Sequence, residues 1–545
     1  MGLVSDLKMY GRFAWGLGSF LRHPITLAEA RATIVRRLNE REDHFLRLIE
    51  RGIFGYRRSP YLPLMKFAGC EMGDLRHQVR TNGLEKTLHN LRDAGVYIGF
   101  EEFKGRAPIV RGGHIFQVDA HSFDNPYLSR AYRTESGGTT GVGTRVETDI
   151  EHLAALSPHL MVARAAHGVL DVPTALWLGI LPDGSGINNL LRAAHFGRIP
   201  QKWFSPISFG DVKTSAKFTL ATIGTVVIGR LFGKPLPWPQ HVGLDEALVV
   251  ARWAHETLKT HRQCLVLAPV SRALRVCLAA REAGFDLTGA TFMIAGEPPT
   301  PAKVKGIEST GARYFPTYGL AESGRIGMGC AQPAGCNDLH LLKDAFAIIQ
   351  KPRQVPGSEI EVAAFNVTSL LLTAPKILLN VEIDDYGIME RRACGCPLED
   401  LGFTEHLQEI RSFRKLTGEG VTLVGSEMVR ILEEVLPAHF GGSPLDYQLL
   451  EEEDKTGLTR LHLLIAPTVE IRDEQAVIAT VFAALHQSSV GADSARAIWR
   501  QAQILRIQRR HPIWTSRGKL MPLHLASGSK SRLSEANQPR GNGSR

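Results

Sequence analysis

Apolar residues recur at helical spacing near the start of the chain. Leu27, Ala30, Ile34, Leu38, Phe45 and Ile49 predict an amphipathic helix over residues 25–53. Leu75, Val79, Leu84, Leu88 and Leu91 predict a further helical stretch over 72–94. The pattern then changes. Helical stretches at 161–169, 244–259 and 270–283 alternate with short apolar, partly β-branched runs such as 263–267 and 290–295. Such alternation predicts the α/β class, a sheet layered between helices. Residues 220–232 are the most apolar stretch. Arg230 interrupts it and it is too short to span a bilayer, so it predicts a buried element in which Gly224 and Gly229 permit close packing.

After Arg411 the order becomes βαββα: a strand at 420–424, a helix at 426–435, a hairpin from 446–450 and 459–465, and a helix at 474–486. That order predicts a small, separate α+β domain. The chain is therefore expected to hold a large multi-layer N-terminal domain over 1–410, made of a helical segment 1–112 and a core 113–410. A C-terminal domain over 411–525 follows, and then a disordered tail, 526–545, of Gly, Ser, Asn and charge. No internal repeat is visible.

Composition narrows the picture. A length of 545 residues exceeds one ordinary core, and 44% apolar with 22% charged residues is a globular balance. The net charge of +9 raises nucleic acid as a partner. The basic residues are scattered, however; Arg506, Arg509 and Arg510 form the densest late cluster, and no aromatic-interleaved basic stripe accompanies them. No nucleic acid is expected, and the basic surface suits anionic small molecules. Seven widely spread cysteines, an odd number, argue against a secreted disulfide framework. Asp6, Lys8 and Arg12 interrupt the first apolar residues, unlike a signal peptide, and Asp6 stands where N-myristoylation wants a hydroxyl. A cytoplasmic protein without a transmembrane segment is expected.

The candidate chemistry begins with Ser136-Gly137-Gly138-Thr139-Thr140-Gly141-Val142-Gly143-Thr144. A loop this rich in glycine and hydroxyls can turn backbone N–H groups and side-chain donors toward a polyphosphate. It lacks the Gly-Lys-Ser/Thr ending of a Walker loop. Ala295-Gly296-Glu297-Pro298 ends a strand-like run, and Pro316-Thr317-Tyr318-Gly319-Leu320-Ala321-Glu322-Ser323 combines a ring, a glycine and a carboxylate. The ring can stack on a base and the carboxylate can hold Mg²⁺. Glu382-Ile383-Asp384-Asp385-Tyr386-Gly387 offers acids for ribose hydroxyls or forms an ordinary acidic turn, with Asp385 favoured over Asp384. Thr515-Ser516-Arg517-Gly518-Lys519 presents a lysine on a polar turn.

These segments, in this order, resemble the acyl-adenylate-forming superfamily of acyl-CoA synthetases and adenylation domains, most closely its phenylacetate–CoA ligase-like branch. The resemblance runs from about Arg133 to Lys519 and implies the adenylate-forming fold. It implies an enzyme that activates a small carboxylic acid with ATP and Mg²⁺ as acyl-AMP, then passes it to the thiol of coenzyme A or of a carrier protein. An adenylate-forming enzyme that loads a protein side chain and a catalytically silent nucleotide-binding relative are the remaining alternatives. By the resemblance, Ser136, Gly137, Gly138, Thr139, Thr140, Gly141 and Thr144 cradle phosphates, with Thr139 and Thr140 as hydroxyl donors. Ala295, Gly296, Glu297, Tyr318 and Gly319 frame adenine, Asp385 holds ribose, and Glu322 binds Mg²⁺. Lys519 touches the substrate carboxylate and the α-phosphate, and Arg411 marks a hinge between domains.

The chain departs from the family pattern at Gly137, where a second Ser is usual, at Gly143, often Pro, and at Thr144, often Lys, although the branch itself tends to have Thr there. At the hinge, Phe413 and Arg414 replace an acidic pair. The branch also often carries a Cys, a Leu-His pair and a Cys-x-Cys. Here these look like Cys330, Leu339-His340, Cys394 and Cys396, with Cys336 as a rival for the first place. Three thiolates and an imidazole suit a closed structural Zn²⁺ site; reduced, unliganded thiols are the other reading. Trp203, Phe204 and Phe209 form either a wall of the acid pocket or plain core.

Overall fold

A computed structural model describes residues 3–128, 131–135, 145–181, 183–206, 208–209, 216–296, 298–320, 322–354, 361–412, 417–418, 421–422, 429–453, 459–485, 505–514, 520 and 522–525. The chain divides into two compact units. Met1–Pro352, Ala363–Ile410 and Ser516–Lys519 form the first; Arg353–Val362, Arg411–Thr515 and Leu520–Arg545 form the second.

The N-terminal helical patterns break where local chemistry dictates. Residues 25–53 form two helices and a π turn, Leu27–Asn39, Arg41–Ile49 and Glu50–Phe54. The first starts on a reciprocal cap, in which the Thr26 hydroxyl accepts from the Glu29 N–H and the Glu29 carboxylate accepts from the Thr26 N–H. Residues 72–94 form Met72–Asn82 and Leu84–Asp93, separated by Gly83 at φ +78°, where a side chain would be strained. The apolar run at 220–232 lies in the helix Ala216–Leu231. Gly229 does pack closely, since a Cβ there would meet Leu236 at 2.3 Å, but Gly224 faces open space and Leu220 and Leu231 are exposed. That element is thus only half buried. No helix among the described residues is long and apolar enough to cross a membrane.

A 12-stranded sheet runs through the first unit. Its strands are β1 Thr174–Trp177, β2 Lys202–Ser205, β3 Pro239–His241, β4 Cys264–Pro269, β5 Ala290–Ala295, β6 Arg313–Leu320, β7 Gly324–Gly329, β8 Asp338–Leu341, β9 Phe346–Gln354, β10 Glu361–Ser369, β11 Val381–Arg391 and β12 Glu405–Ser412. Their order is β9-β10-β11-β12-β8-β7-β6-β5-β4-β1-β2-β3. From β6 to β3 every pairing is parallel. Every residue of β4 is buried, which explains its unbroken apolar run. Trp203 and Phe204 on β2 are core residues, the Trp203 indole donating to the Leu178 carbonyl at 3.0 Å, whereas Phe209 is exposed.

The second unit is an α+β body. Its hairpin, Tyr447–Glu453 with Thr459–Ile465, is antiparallel. Leu505–Arg509 and Leu523–Leu525, which the sequence pattern did not suggest, add parallel edges to make four strands, and Val421–Thr422, from the expected strand at 420–424, pairs separately with Thr417–Gly418. The helices Leu436–Phe440 and Glu474–Leu485 cover it around Leu436, Tyr447, Leu463, Val477 and Val481. The expected tail at 526–545, and 423–428, which takes in the end of the expected strand at 420–424 and the start of the expected helix at 426–435, lie outside the described residues.

Candidate nucleotide site and cysteine cluster

Strand β6 changes partners along its length. Its first half pairs parallel with β5, Pro316 opposite Ile294, and its second half pairs antiparallel with β7 across a register shift between Tyr318 and Gly319. The shift requires glycine: a Cβ at Gly319 would lie 2.4 Å from the Gly324 carbonyl oxygen. The same change of partner sets Ala295 and Gly296, at the end of β5, beside the residues leading into Tyr318. Ligands of α/β sheets gather at such strand ends.

The Tyr318 hydroxyl donates to Asp385 Oδ2 at 2.8 Å, across 67 residues of sequence. Asp385 lies on β11, four strand spacings from β6 in the sheet order. A flat sheet would separate those strands by ~19 Å, four steps of about 4.8 Å. The antiparallel half therefore curls round until the two side chains meet. Burial, and then the Asp385 carboxylate, hold the Tyr318 phenol well above its ordinary value, so it stays a donor.

Glu322 sits in the β6–β7 turn with only 5% of its surface exposed. Lys104 Nζ lies 2.6 Å from its Oε1 and within 5.6 Å of the Phe100 and Phe103 ring centres. A buried carboxylate costs free energy without a cation, and Lys104 supplies one. Nothing in the sequence around Lys104 signals this partnership, because it links side chains 218 residues apart.

Ser136, Gly137, Gly138, Thr139, Thr140, Gly141 and Thr144 lie outside the described residues, as do Glu297 and Lys519. Their surroundings are described. Ala131–Glu135 and Arg145–Asp149, which flank the glycine-rich loop, pair antiparallel with Glu135 opposite Arg145. Asp149 then caps the helix Ile150–Ala166 by accepting from the Glu151 N–H at 2.7 Å. Trp514 and Leu520, on either side of Lys519, form an isolated antiparallel bridge. Arg411 is half-buried near the end of β12.

The cysteines converge elsewhere in the first unit. Cys330 follows β7, His340 lies on β8, and Cys394 and Cys396 follow β11. One ligand atom from each falls within 4.8 Å of all the others. His340 Nδ1 donates to the Phe403 carbonyl at 2.7 Å, which leaves the Nε2 lone pair facing Cys396 Sγ at 3.1 Å and Cys394 Sγ at 3.7 Å. Three sulfurs and one imidazole nitrogen, all within 4.8 Å of one another, are a donor set that fits a tetrahedral zinc. A hydrogen bond from Cys330 pulls the Cys396 thiol down, and Cys330 is pushed up in return. Cys336, the rival, points its sulfur at the Pro299 carbonyl, 3.6 Å away, and is not among the four.

No protein-family model matches this chain, and no curated protein matches it. The chain has the adenylate-forming fold, as a comparison with solved structures shows. It is similar to 2-hydroxyisobutyryl-CoA ligase in the postadenylation state, in complex with R3-HIB-AMP and with 2-HIB-AMP. Each match has a TM-score of 0.51 and 14% identity, covering 94% of this chain and 93% of that one. An anthranilate CoA ligase in complex with anthranoyl-AMP matches at a TM-score of 0.42 and 11% identity, over 75% of this chain and 67% of the other. At such identities the likeness concerns the fold alone.

Proposed function

We propose that the chain activates a small carboxylic acid with ATP and transfers the acyl group to a thiol, most simply that of coenzyme A. The observation that supports this best is the meeting of Tyr318 with Asp385 on a strand whose following turn holds the buried Glu322. Ring, ribose acceptor and metal-binding carboxylate are the groups a bound nucleotide needs, and the fold is one on which acyl-AMP has been observed in the 2-hydroxyisobutyryl-CoA ligase.

In the first step a substrate carboxylate oxygen bonds to the α-phosphorus of ATP as the bond to pyrophosphate breaks. No protein base is required, because the nucleophile is already ionised. The protein's task is to hold charge and exclude water. Gly296 and Tyr318–Gly319 frame the base and Asp385 accepts from ribose. Thr139, Thr140 and the neighbouring glycines hold phosphate oxygens, and Lys519 faces the charge that grows between carboxylate and α-phosphate. Glu322 would hold Mg²⁺, which neutralises phosphate charge when bound. In the second step the thiol sulfur attacks the acyl carbon and AMP departs. Cys330, His340, Cys394 and Cys396 would hold a structural Zn²⁺ that ties the segment after β7 to the segment after β11.

Acid-dependent ATP–pyrophosphate exchange over a panel of aryl, branched and straight-chain acids tests this. Exchange is expected in wild type, reduced at least a hundredfold in Lys519→Ala and Asp385→Ala. ATP binding with no exchange for any acid would leave a silent nucleotide binder instead.

A further inference from the structure

A guanidinium withdrawn from water needs a counter-charge, and most half-buried or buried cations of the first unit have one. Arg111 holds Glu102 through two hydrogen bonds at 2.8 and 2.9 Å. Lys104 meets Glu322, Lys376 meets Asp124, and Arg92 meets Glu382. Three arginines break the pattern. Arg164, on the helix Ile150–Ala166, is fully buried, and Nε, Nη1 and Nη2 all lack a hydrogen-bond partner. Among the described residues the Phe196 ring, 5.4 Å away, faces it. Arg192, on the helix Ser185–His195, is 6% exposed with its Nε also unpartnered. Arg325, on β7, is partly exposed and donates to Asn189 Oδ1 at 2.5 Å.

The three belong to one place. Asn189 stands one turn before Arg192 on the same helix, so the bond from Arg325 draws β7 onto that turn. Arg192 Nη2 lies 3.9 Å from where a Cβ at Gly324 would stand, next to Arg325 in sequence. Arg164 lies over the Phe196 ring, just past the end of the helix that carries Arg192, and burial first, then Arg192 and Arg164, weaken the hold of Arg325 on its proton. Among the described residues no carboxylate pairs with any of them. Like charges gathered without a counter-ion are an incomplete site, and the missing part is negative.

We propose that Arg164, Arg192 and Arg325 form a buried oxyanion site whose occupant is the acidic group at the far end of the carboxylic acid substrate. Planar guanidinium forks match the two oxygens of a carboxylate or a phosphate. Burial deepens from Arg325 through Arg192 to Arg164, so Arg325 is the member nearest solvent. The position also suits a substrate: Arg325 is three residues past Glu322, at most about 10 Å of extended chain. The source of the anion rests on the ligase reading; the site itself does not. A free inorganic oxyanion offers the same chemistry.

The test uses the full chain, wild type and Arg192→Met and Arg325→Gln, in calorimetry and thermal shift with four probes. These are dicarboxylates from malonate to adipate, monocarboxylates of matched length, inorganic phosphate, and ATP. The expected result is that one dicarboxylate binds wild type at least tenfold tighter than its monocarboxylate partner, and at least tenfold weaker in both variants. Should Arg192→Met fail to fold, Arg325→Gln, at the exposed end, carries the comparison. Phosphate protection that the variants lose, with no dicarboxylate preference, supports the oxyanion site and assigns a free anion to it. If neither class distinguishes wild type from the variants, the site is overturned. ATP is the separate arm: wild type that holds the anion but not ATP ends the ligase reading and leaves this one standing.

Discussion

Strand β7 connects two polar clusters of opposite character. Past its end, Cys330 joins His340, Cys394 and Cys396; at its start, Arg325 joins Arg192 and Arg164. Around the sulfurs, outer contacts are in place. Phe403 fixes the His340 ring, Glu399 Oε2 accepts from the Cys394 and Gly395 N–H groups, and Arg392 reaches Cys330 Sγ at 3.8 Å. Around the arginines, among the described residues, Asn189 accepts from Arg325 and the Phe196 ring faces Arg164, whose nitrogens have no hydrogen-bond partner. Both clusters are largely withdrawn from water; the guanidiniums carry charge there, whereas the sulfurs do so only as thiolates. Softness and close grouping call for a cation in the first; planarity and lone N–H groups call for an oxyanion in the second.

The largest effect is expected where the donor set is most complete. Wild type purified without chelator should carry one zinc per chain, and Cys396→Ser should carry none and lose ~5 kcal/mol or more of stability, since metal binding by such sites is folding free energy. Zinc-free wild type by elemental analysis would reduce this cluster to thiols. Next comes Lys104→Met. It strips the cation from Glu322, whose side chain is 7% exposed, and should cost ~3 kcal/mol in urea unfolding at pH 7. Adding Glu322→Gln should restore most of that loss; failure to do so would mean Lys104 acts through something other than the ion pair.

The sequence carried these clusters unequally. The α/β alternation is legible because β4 and β5 are buried on both faces and read as short runs of almost wholly apolar residues. The hairpin of the second unit is legible from its period, while Leu505–Arg509 and Leu523–Leu525 are not, because they join as parallel edges by long-range pairing. Cysteines and a histidine are rare enough to be noticed far apart, and so are the Tyr318 and Asp385 motifs. Arg164 and Arg192 are not noticed: an arginine in a mostly apolar helix looks like the polar edge of an amphipathic face. Only packing shows that Arg164 is withdrawn from the surface. Lys104 is hidden for the same reason, since its partner is chosen by the fold and not by its neighbours.

Smaller effects sharpen the arginine side. His152 is pushed down to about 3, first by burial and then by Arg192, while its Nε2 donates to the Ser323 carbonyl at 3.0 Å. Above pH 6.5 folded and unfolded chains both hold it neutral and it contributes no slope. Below 6.5 the unfolded chain takes a proton that the folded chain refuses, so stability falls as pH drops toward 3, by roughly 1–2 kcal/mol at pH 5.5. His152→Asn should flatten the slope relative to wild type by that amount, and an oxyanion bound beside Arg192 should shrink it. The smallest change is expected from Arg164→Met in buffer free of candidate anions: within ~1 kcal/mol of wild type, or more stable, because an uncompensated charge is exchanged for a side chain that fills its space. A loss of 3 kcal/mol or more there would mean that the fold already supplies Arg164 with a partner, and the contrast between a complete cluster and an incomplete one would fail.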